Sequence, residues 1–197
     1  ISTHEAGHAV AAYLCAPERR LEILTIIKRR QALGMLAHGD ADDVFTRSRT
    51  EMLALIRIAM AGQVAEELFF GDISTGPGGD LLYATNVACE MVGSVGMTDT
   101  LISFAAVQNG AFNGSNIVGR VLSDADGRAR VEKLLQEQKA AVKILLTQNR
   151  HLVEALRDAL MVREELIGRE ITDVIESAGG MQRARLIDVR ADATERA

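Results

Sequence analysis

The chain has 197 residues, enough for one compact domain with a sizeable core and too few for a second full domain. With 48% apolar and 25% charged residues it is not a disordered sequence, no apolar run nears the about 18 residues that span a bilayer, and even the apolar stretch Met52 to Ala61 is broken by Arg57. Acidic side chains outnumber basic ones 27 to 22, so nucleic acid is a poor general partner; the Lys28-Arg29-Arg30 cluster is too small to reverse a net charge of -5.

The two cysteines, Cys15 and Cys89, lie in apolar helical surroundings with no Cys-x-x-Cys spacing, which argues against a disulfide framework or a thiolate zinc knuckle. The chain opens at Ile1 without methionine or signal pattern and reads as part of a longer protein, whose address lies in other segments.

In chain order, a first helix is predicted from about Thr3 to Cys15, burying Ala6, Val10, Tyr13 and Leu14 before Pro17 stops it. The period then changes to two. Leu21 to Ile27 reads as a strand, and Ala32 to Ala37 returns beside it across the Arg29-Arg30-Gln31 turn, with Gly39 to Asp43 as an acidic loop. Ser48 with Glu51 forms a capping-box signature for a long buried helix that carries Met52, Ile56, Ala59, Met60, Gln63 and Val64 and ends at Gly71.

Thr75-Gly76-Pro77-Gly78-Gly79 is a turn by composition, and Asp80 stands at the entry of a third helix. From Gly96 to Gly119, including Asn109-Gly110 and Asn113-Gly114, the pattern decays into a mobile loop region. Ser123 with Asp126 opens another helix, and one carrying Leu152, Leu156 and Leu160 follows it as an antiparallel hairpin. A short helix around Ile171 to Ile175 ends at Gly179-Gly180, before an Arg-rich, frayed tail.

The expected fold is therefore mainly α, with a small β-hairpin and a C-terminal helical hairpin. The expected organisation is one domain over residues 1–178, with a lobe at about 1–97, a mobile region at about 98–122 and a helical lobe at about 123–178. Residues 179–197 are expected to be a flexible tail.

The first helix contains His4-Glu5-Ala6-Gly7-His8, a His-Glu-x-x-His sequence. One helical turn separates the histidines, so both imidazoles project from one face, as two ligands of a tetrahedral zinc must. Glu5 is thereby placed beside the metal, where it can take a proton from water and hand it to a leaving amine. The plainer reading is surface histidines on an ordinary helix, but with four histidines in the chain a chance match has a probability on the order of 1%.

A third ligand is required. The longer metzincin pattern is excluded because Ala11 and Leu14 stand at its positions. His38 and His151 read as surface histidines, and Cys15 and Cys89 as core residues. Glu66, Glu67 and Asp80 stay open: each glutamate is equally explained by a solvated or salt-bridged helix face, and Asp80 by an N-cap. Gly76-Pro77-Gly78-Gly79 is followed by neither a Gly-Lys-Ser/Thr nor a Gly-x-Gly-x-x-Gly spacing, and no Gly-x-Ser-x-Gly elbow exists, so nucleotide and serine-hydrolase motifs are missing.

The order of these segments resembles the peptidase domain of FtsH-type, membrane-associated ATP-dependent zinc metalloproteases. The resemblance covers most of residues 1–178 and rests on His4-Glu5-Ala6-Gly7-His8-Ala9, Gln31-Ala32-Leu33-Gly34, Ala65-Glu66-Glu67, Ser74-Thr75-Gly76, Asp80-Leu81, Ala84-Thr85 and Gly96-Met97. It implies Zn2+ held by His4, His8 and Asp80, with Glu5 as the catalytic base.

It also implies an N-terminal ATPase module, a homo-oligomeric, hexameric ring, polypeptide substrates, and a domain on the cytoplasmic side of a protein anchored to the inner membrane by other segments. The chain departs from the family at Ala61-Gly62-Gln63, usually Gly-Gly-Arg, at Pro77-Gly78-Gly79, usually Ala-Ser-Asn, and at Leu101-Ile102, usually Leu-Gly.

Physical reasoning points the same way on the third ligand. The glutamates ride a helix whose direction is set by burying Met60 and Val64, and one of them can serve as a hydrogen-bond acceptor for a ligand histidine. Asp80 follows a Gly-rich turn that can swing a short carboxylate onto a helix face.

The expected function is a zinc endopeptidase acting on unfolded or flexible polypeptides, the proteolytic part of an ATP-dependent quality-control protease, with the Ala32 to Ala37 strand as the pairing edge for substrate. The alternatives are a non-catalytic helical ring-assembly module, which has no use for Glu5, and a stand-alone zinc peptidase without an ATPase.

Overall fold

The computed structural model describes residues 1–28, 34–40, 45–106 and 116–181. Helix α1 (Ser2–Cys15) lies at its centre, and every residue from Thr3 to Tyr13 is buried rather than one face alone. The small side chains explain this. An added Cβ on Gly7 would stand 2.7 Å from the Ala61 carbonyl oxygen and 2.7 Å from Ala65 Cβ, so α1 and α2 (Arg49–Phe70) cross at backbone distance. Helix α2 is started by the expected Ser48–Glu51 capping box and stopped by Gly71, whose φ of 69° suits glycine.

Strands β1 (Arg19–Thr25) and β2 (Met35–Asp40) form the expected antiparallel hairpin, with a bulge between Leu21 and Ile23. Both strands lie further from the turn than the pattern suggested. Arg19 and Asp40, paired at 2.5 Å, extend the ladder outward, so Gly39 and Asp40 belong to β2 rather than to an acidic loop. The turn at 29–31, the strand start at Ala32 and Leu33, and Ala41 to Asp43 lie outside the described residues.

Helix α3 (Gly78–Gly93) begins two residues before its expected start. Pro77 occupies the cap position with φ -65°, and Asp80 is the third helical residue instead of the cap. Helix α4 (Ile117–Ser123) occupies the end of the segment read as loop, capped by the Asn116 side chain accepting from the Gly119 N–H. Asn109-Gly110 and Asn113-Gly114 lie outside the described residues.

Asp124, rather than Ser123, caps α5 (Ala125–Gln148), its carboxylate accepting from the Gly127 N–H at 2.7 Å. Helix α6 (Arg150–Arg163) follows across Asn149. The two succeed one another as expected, but α5 packs chiefly on α2 and α3 while α6 packs on α1, so they meet little beyond their corner.

Strand β3 (Glu165–Ile167), which the pattern did not reveal, pairs antiparallel with the other edge of β1, giving the sheet order β2-β1-β3. Helix α7 (Arg169–Ser177) closes the described chain, and residues 182–197, most of the expected tail, lie outside it. One continuous core runs from Ala6 to Ile175 through all seven of the described helices. The architecture is mainly α with a small antiparallel sheet, and no described helix is long and apolar enough to cross a membrane.

Candidate metal centre

The spacing of His4 and His8 brings their rings together at 4.6 Å between centroids, edge to face at 79°. Both side chains are buried, and their Nε2 atoms lie 3.0 Å apart. Asp80 reaches across from the first turn of α3, its Oδ2 standing 3.2 Å from His4 Nε2 and 3.4 Å from His8 Nε2. A tetrahedron with bonds of about 2.0–2.1 Å has edges of about 3.4 Å, so this triangle has the size of one zinc coordination face.

The remaining ring atoms fix what the triangle offers. His8 Nδ1 donates to the Ile58 carbonyl at 2.6 Å, and His4 Nδ1 donates to Glu66 Oε1 at 2.9 Å. With those hydrogens on Nδ1, both neutral rings present Nε2 lone pairs toward a carboxylate oxygen. Three electron-pair donors directed at one point repel one another unless a cation lies between them, which is the chemistry a zinc site needs.

The electrostatics agree. Burial opposes a charged His4, but Asp80, Glu5 and Glu66 outweigh it and raise its pKa above the ordinary value. Burial pushes the Asp80 carboxyl up, yet His4 and His8 prevail and hold it well below the usual carboxylate range. The surroundings therefore keep Asp80 ionised and draw positive charge to this spot.

Glu66 is not in the triangle. It sits behind His4, and despite burial its pKa is lowered by the Ser74 N–H and hydroxyl, which donate at 2.7 and 3.1 Å, and by His4. Glu67 turns the other way, toward Lys139 on α5 at 2.5 Å. His38 belongs to a separate group with Arg19, His151 is exposed at the start of α6, and Cys15 and Cys89 are free thiols among apolar residues. Among the described residues, His4, His8 and Asp80 are the group able to hold a metal ion.

The triangle opens into a cleft of about 830 Å³, lined among others by Glu5, Leu36, His38, Leu55, Ile58 and Tyr83. Glu5 is buried but stands outside the triangle. An added Cβ on Gly34 would lie 2.6 Å from its Oε1, so the backbone just ahead of β2 approaches the carboxylate as closely as a glycine permits. Burial raises the Glu5 pKa, with His8 and His4 pulling the other way.

Gly62 is the residue that sequence reasoning missed. A Cβ there would meet His4 Nε2 and His8 Nε2, each at 2.5 Å, so the middle of α2 must stay bare beneath the two histidines. The signal was available: a glycine inside a long helix costs about 1 kcal/mol relative to alanine and calls for a packing or functional reason.

Comparison with known proteins bears on the whole chain. The model of peptidase family M41 matches residues 1–174. The chain is 33% identical over 192 residues to the ATP-dependent zinc metalloprotease FtsH 4 of Sorangium cellulosum, covering 93% of this chain and 30% of that protein. It is 34% identical over 176 residues to the ATP-dependent zinc metalloprotease FtsH of Thermus thermophilus, covering 88% and 28%. It is 35% identical over 176 residues to the ATP-dependent zinc metalloprotease FTSH 9, chloroplastic/mitochondrial, of Oryza sativa, covering 87% and 21%. The chain thus spans less than a third of the length of these relatives, the part that the family model describes. By that match, nearly end to end, the chain belongs to peptidase family M41 as an FtsH-type peptidase domain.

Proposed function

We propose that this chain is a zinc endopeptidase that hydrolyses peptide bonds of unfolded or flexible polypeptides. The observation that carries the reading is the convergence of His4 Nε2, His8 Nε2 and Asp80 Oδ2, with Glu5 beside them at the head of the same cleft. These three residues are the proposed zinc ligands and Glu5 the proposed base. Zinc, when bound, supplies Lewis acidity toward a scissile carbonyl and toward water.

The rest falls to the protein. Glu5 takes the proton of the attacking water and returns it to the departing amine, and a carboxylate whose pKa is raised by burial holds that proton better than an exposed one. Glu66 keeps the hydrogen of His4 on Nδ1 and Ile58 does the same for His8, so neither ligand can rotate or change tautomer without losing a buried hydrogen bond. The substrate backbone pairs with β2, an edge strand of the sheet, which reads main chain rather than side chains and suits weak sequence preference.

The same proposal takes residues 1–178 as one peptidase domain, supported by a core continuous from Ala6 to Ile175. Its place is within a longer, hexameric, ATP-dependent protease with an ATPase module N-terminal to it, anchored in the inner membrane and working on the cytoplasmic side. The relatives, named as ATP-dependent zinc metalloproteases, supply the ATP dependence.

The test is hydrolysis of a flexible fluorogenic peptide by the purified, zinc-loaded chain. Activity should disappear with a chelator, return with zinc, and be indifferent to ATP. A folded, zinc-loaded chain that leaves flexible peptides intact would sink the reading.

A further inference from the structure

Strand β2 carries a histidine that the chemistry above does not use. His38 stands opposite Leu21 in the ladder and lines the cleft together with Glu5 and His8. Its Nδ1 receives a hydrogen from Arg19 Nε at 2.8 Å. A guanidinium can only donate, so Nδ1 must offer its lone pair, and the neutral ring carries its single hydrogen on Nε2.

The surroundings keep the ring neutral. Burial first, then Arg19 and His8, press its pKa down to about 4 against the pull of Asp40. Arg19 is itself pinned by Asp40 at 2.5 Å, and Asp40 also takes Arg47, so the guanidinium that sets the tautomer has little freedom. Among the described residues, no acceptor takes the Nε2 hydrogen, and His38 is not part of the group able to hold a metal ion.

The charged side chains that line the same cleft, other than the histidines, are the carboxylates of Glu5, Glu66 and Asp80; Ser74, Thr75 and Tyr83 add hydroxyls, of which that of Ser74 already donates to Glu66. Carboxylates accept hydrogen bonds and cannot match the carbonyl oxygens of a bound main chain. A cationic donor would satisfy those carbonyls but would repel a metal ion nearby. A neutral N–H held at a fixed tautomer meets both demands.

We propose that His38 is the substrate-positioning donor of the cleft, its Nε2–H bonding a backbone carbonyl of the polypeptide laid along β2. The proposal deepens the peptidase reading and rests on it. It assigns Arg19 and Asp40 a supporting part, since they hold the hydrogen on the side that faces substrate.

The experiment uses the full chain, zinc-loaded, with a flexible fluorescent peptide as probe. Binding is measured by anisotropy in a Glu5→Gln background, where turnover is blocked, and kcat and KM are measured with Glu5 intact. His38→Leu should weaken peptide binding and raise KM about fivefold, the size of one neutral hydrogen bond, with zinc content and helicity unchanged. His38→Gln, which keeps an N–H donor, should recover most of the loss. Side-chain 15N NMR should find His38 as the Nε2–H tautomer and should see that nitrogen shift when peptide is added.

Wild-type binding by His38→Leu overturns the proposal, as does a Gln variant no better than Leu, or an Nε2 signal blind to peptide. A chain that binds peptide through His38 yet never hydrolyses it would defeat the peptidase reading and leave this inference standing. A chain that binds no peptide defeats both.

Discussion

The two histidines and the aspartate reach one point from regions of opposite character. Helix α1 is buried from Thr3 to Tyr13, and the bare backbone of Gly62 lies directly beneath its histidines. The stretch from Gly71 to Tyr83 is exposed apart from buried Pro77 and half-buried Asp80, and it leaves Ile73, Leu81, Leu82 and Tyr83 open to solvent. The first region has one packing solution, whereas the second is placed by a handful of polar contacts and a proline. Glu66 joins them, accepting from Ser74 on one side and from His4 on the other. A metal site can thus be rigid in two ligands and adjustable in the third.

The largest effects should come from the rigid side. Glu5→Gln should keep zinc and fold while hydrolysis falls by a factor of about 10²–10⁴, the usual worth of a general base, and undiminished turnover would remove Glu5 from the mechanism. His8→Ala should lose metal and activity together, as metal analysis of the purified variant will report.

The contrast sharpens at the third ligand. Asp80→Ala should fold normally, since its side chain caps nothing, yet lose most of its zinc affinity in a titration. Full affinity there would mean that the exposed region contributes no ligand. Gly62→Ala tests the opposite case: its Cβ would fall 2.5 Å from both Nε2 atoms, so about 1–3 kcal/mol of overpacking must be relieved by moving the rings. Gly79→Ala, with open space around it, should bind zinc like the parent.

Smaller still, Glu66→Gln should cost about 10–100-fold in zinc affinity, because a neutral amide in place of the carboxylate weakens the hold on His4 and on Ser74. Measuring the mobility of residues 72–80 in that variant would show whether one carboxylate couples the two regions.

The least effect is expected from pH. His38 is neutral in the folded chain down to pH about 4, whereas its ordinary value is 6.5. Between those values the unfolded chain takes up a proton that the folded chain refuses. Stability from this residue is therefore full above 6.5 and drains away as pH falls toward 4. Partial exposure screens the effect to a few degrees in Tm, and His38→Gln should flatten that part of the profile.

What could be read from residues alone divides along the same line. The histidine helix was legible because an i, i+4 spacing is a local fact, and α2 because its cap and stop are written in Ser48, Glu51 and Gly71. The choice among Glu66, Glu67 and Asp80 was not, because Asp80 meets His4 across 76 positions of chain and only tertiary packing decides that contact. Family resemblance singled out Asp80, with the freedom of the Gly-rich turn before it in support.

Helix α3 was entered two residues late because the Gly-Gly pair reads as turn, while Pro77 with its fixed φ had already set the first turn. Strand β3 is three residues long, below any detectable period, and exists because β1 offers it an edge. The tautomers of His4, His8 and His38 depend on Glu66, Ile58 and Arg19, partners that no local pattern names.

The central burial of α1 also sets an order for the chain's birth. The histidine helix leaves the ribosome before every other described helix, but its neighbours α2 and α6 begin at Arg49 and Arg150. A nascent chain that stops at Gln148 already holds His4, Glu5, His8 and Asp80, yet one flank of their helix still faces water without its α6 partner. Firm placement of the two histidines is then tied to completion of the core, and an unfinished copy emerges as a client for chaperones.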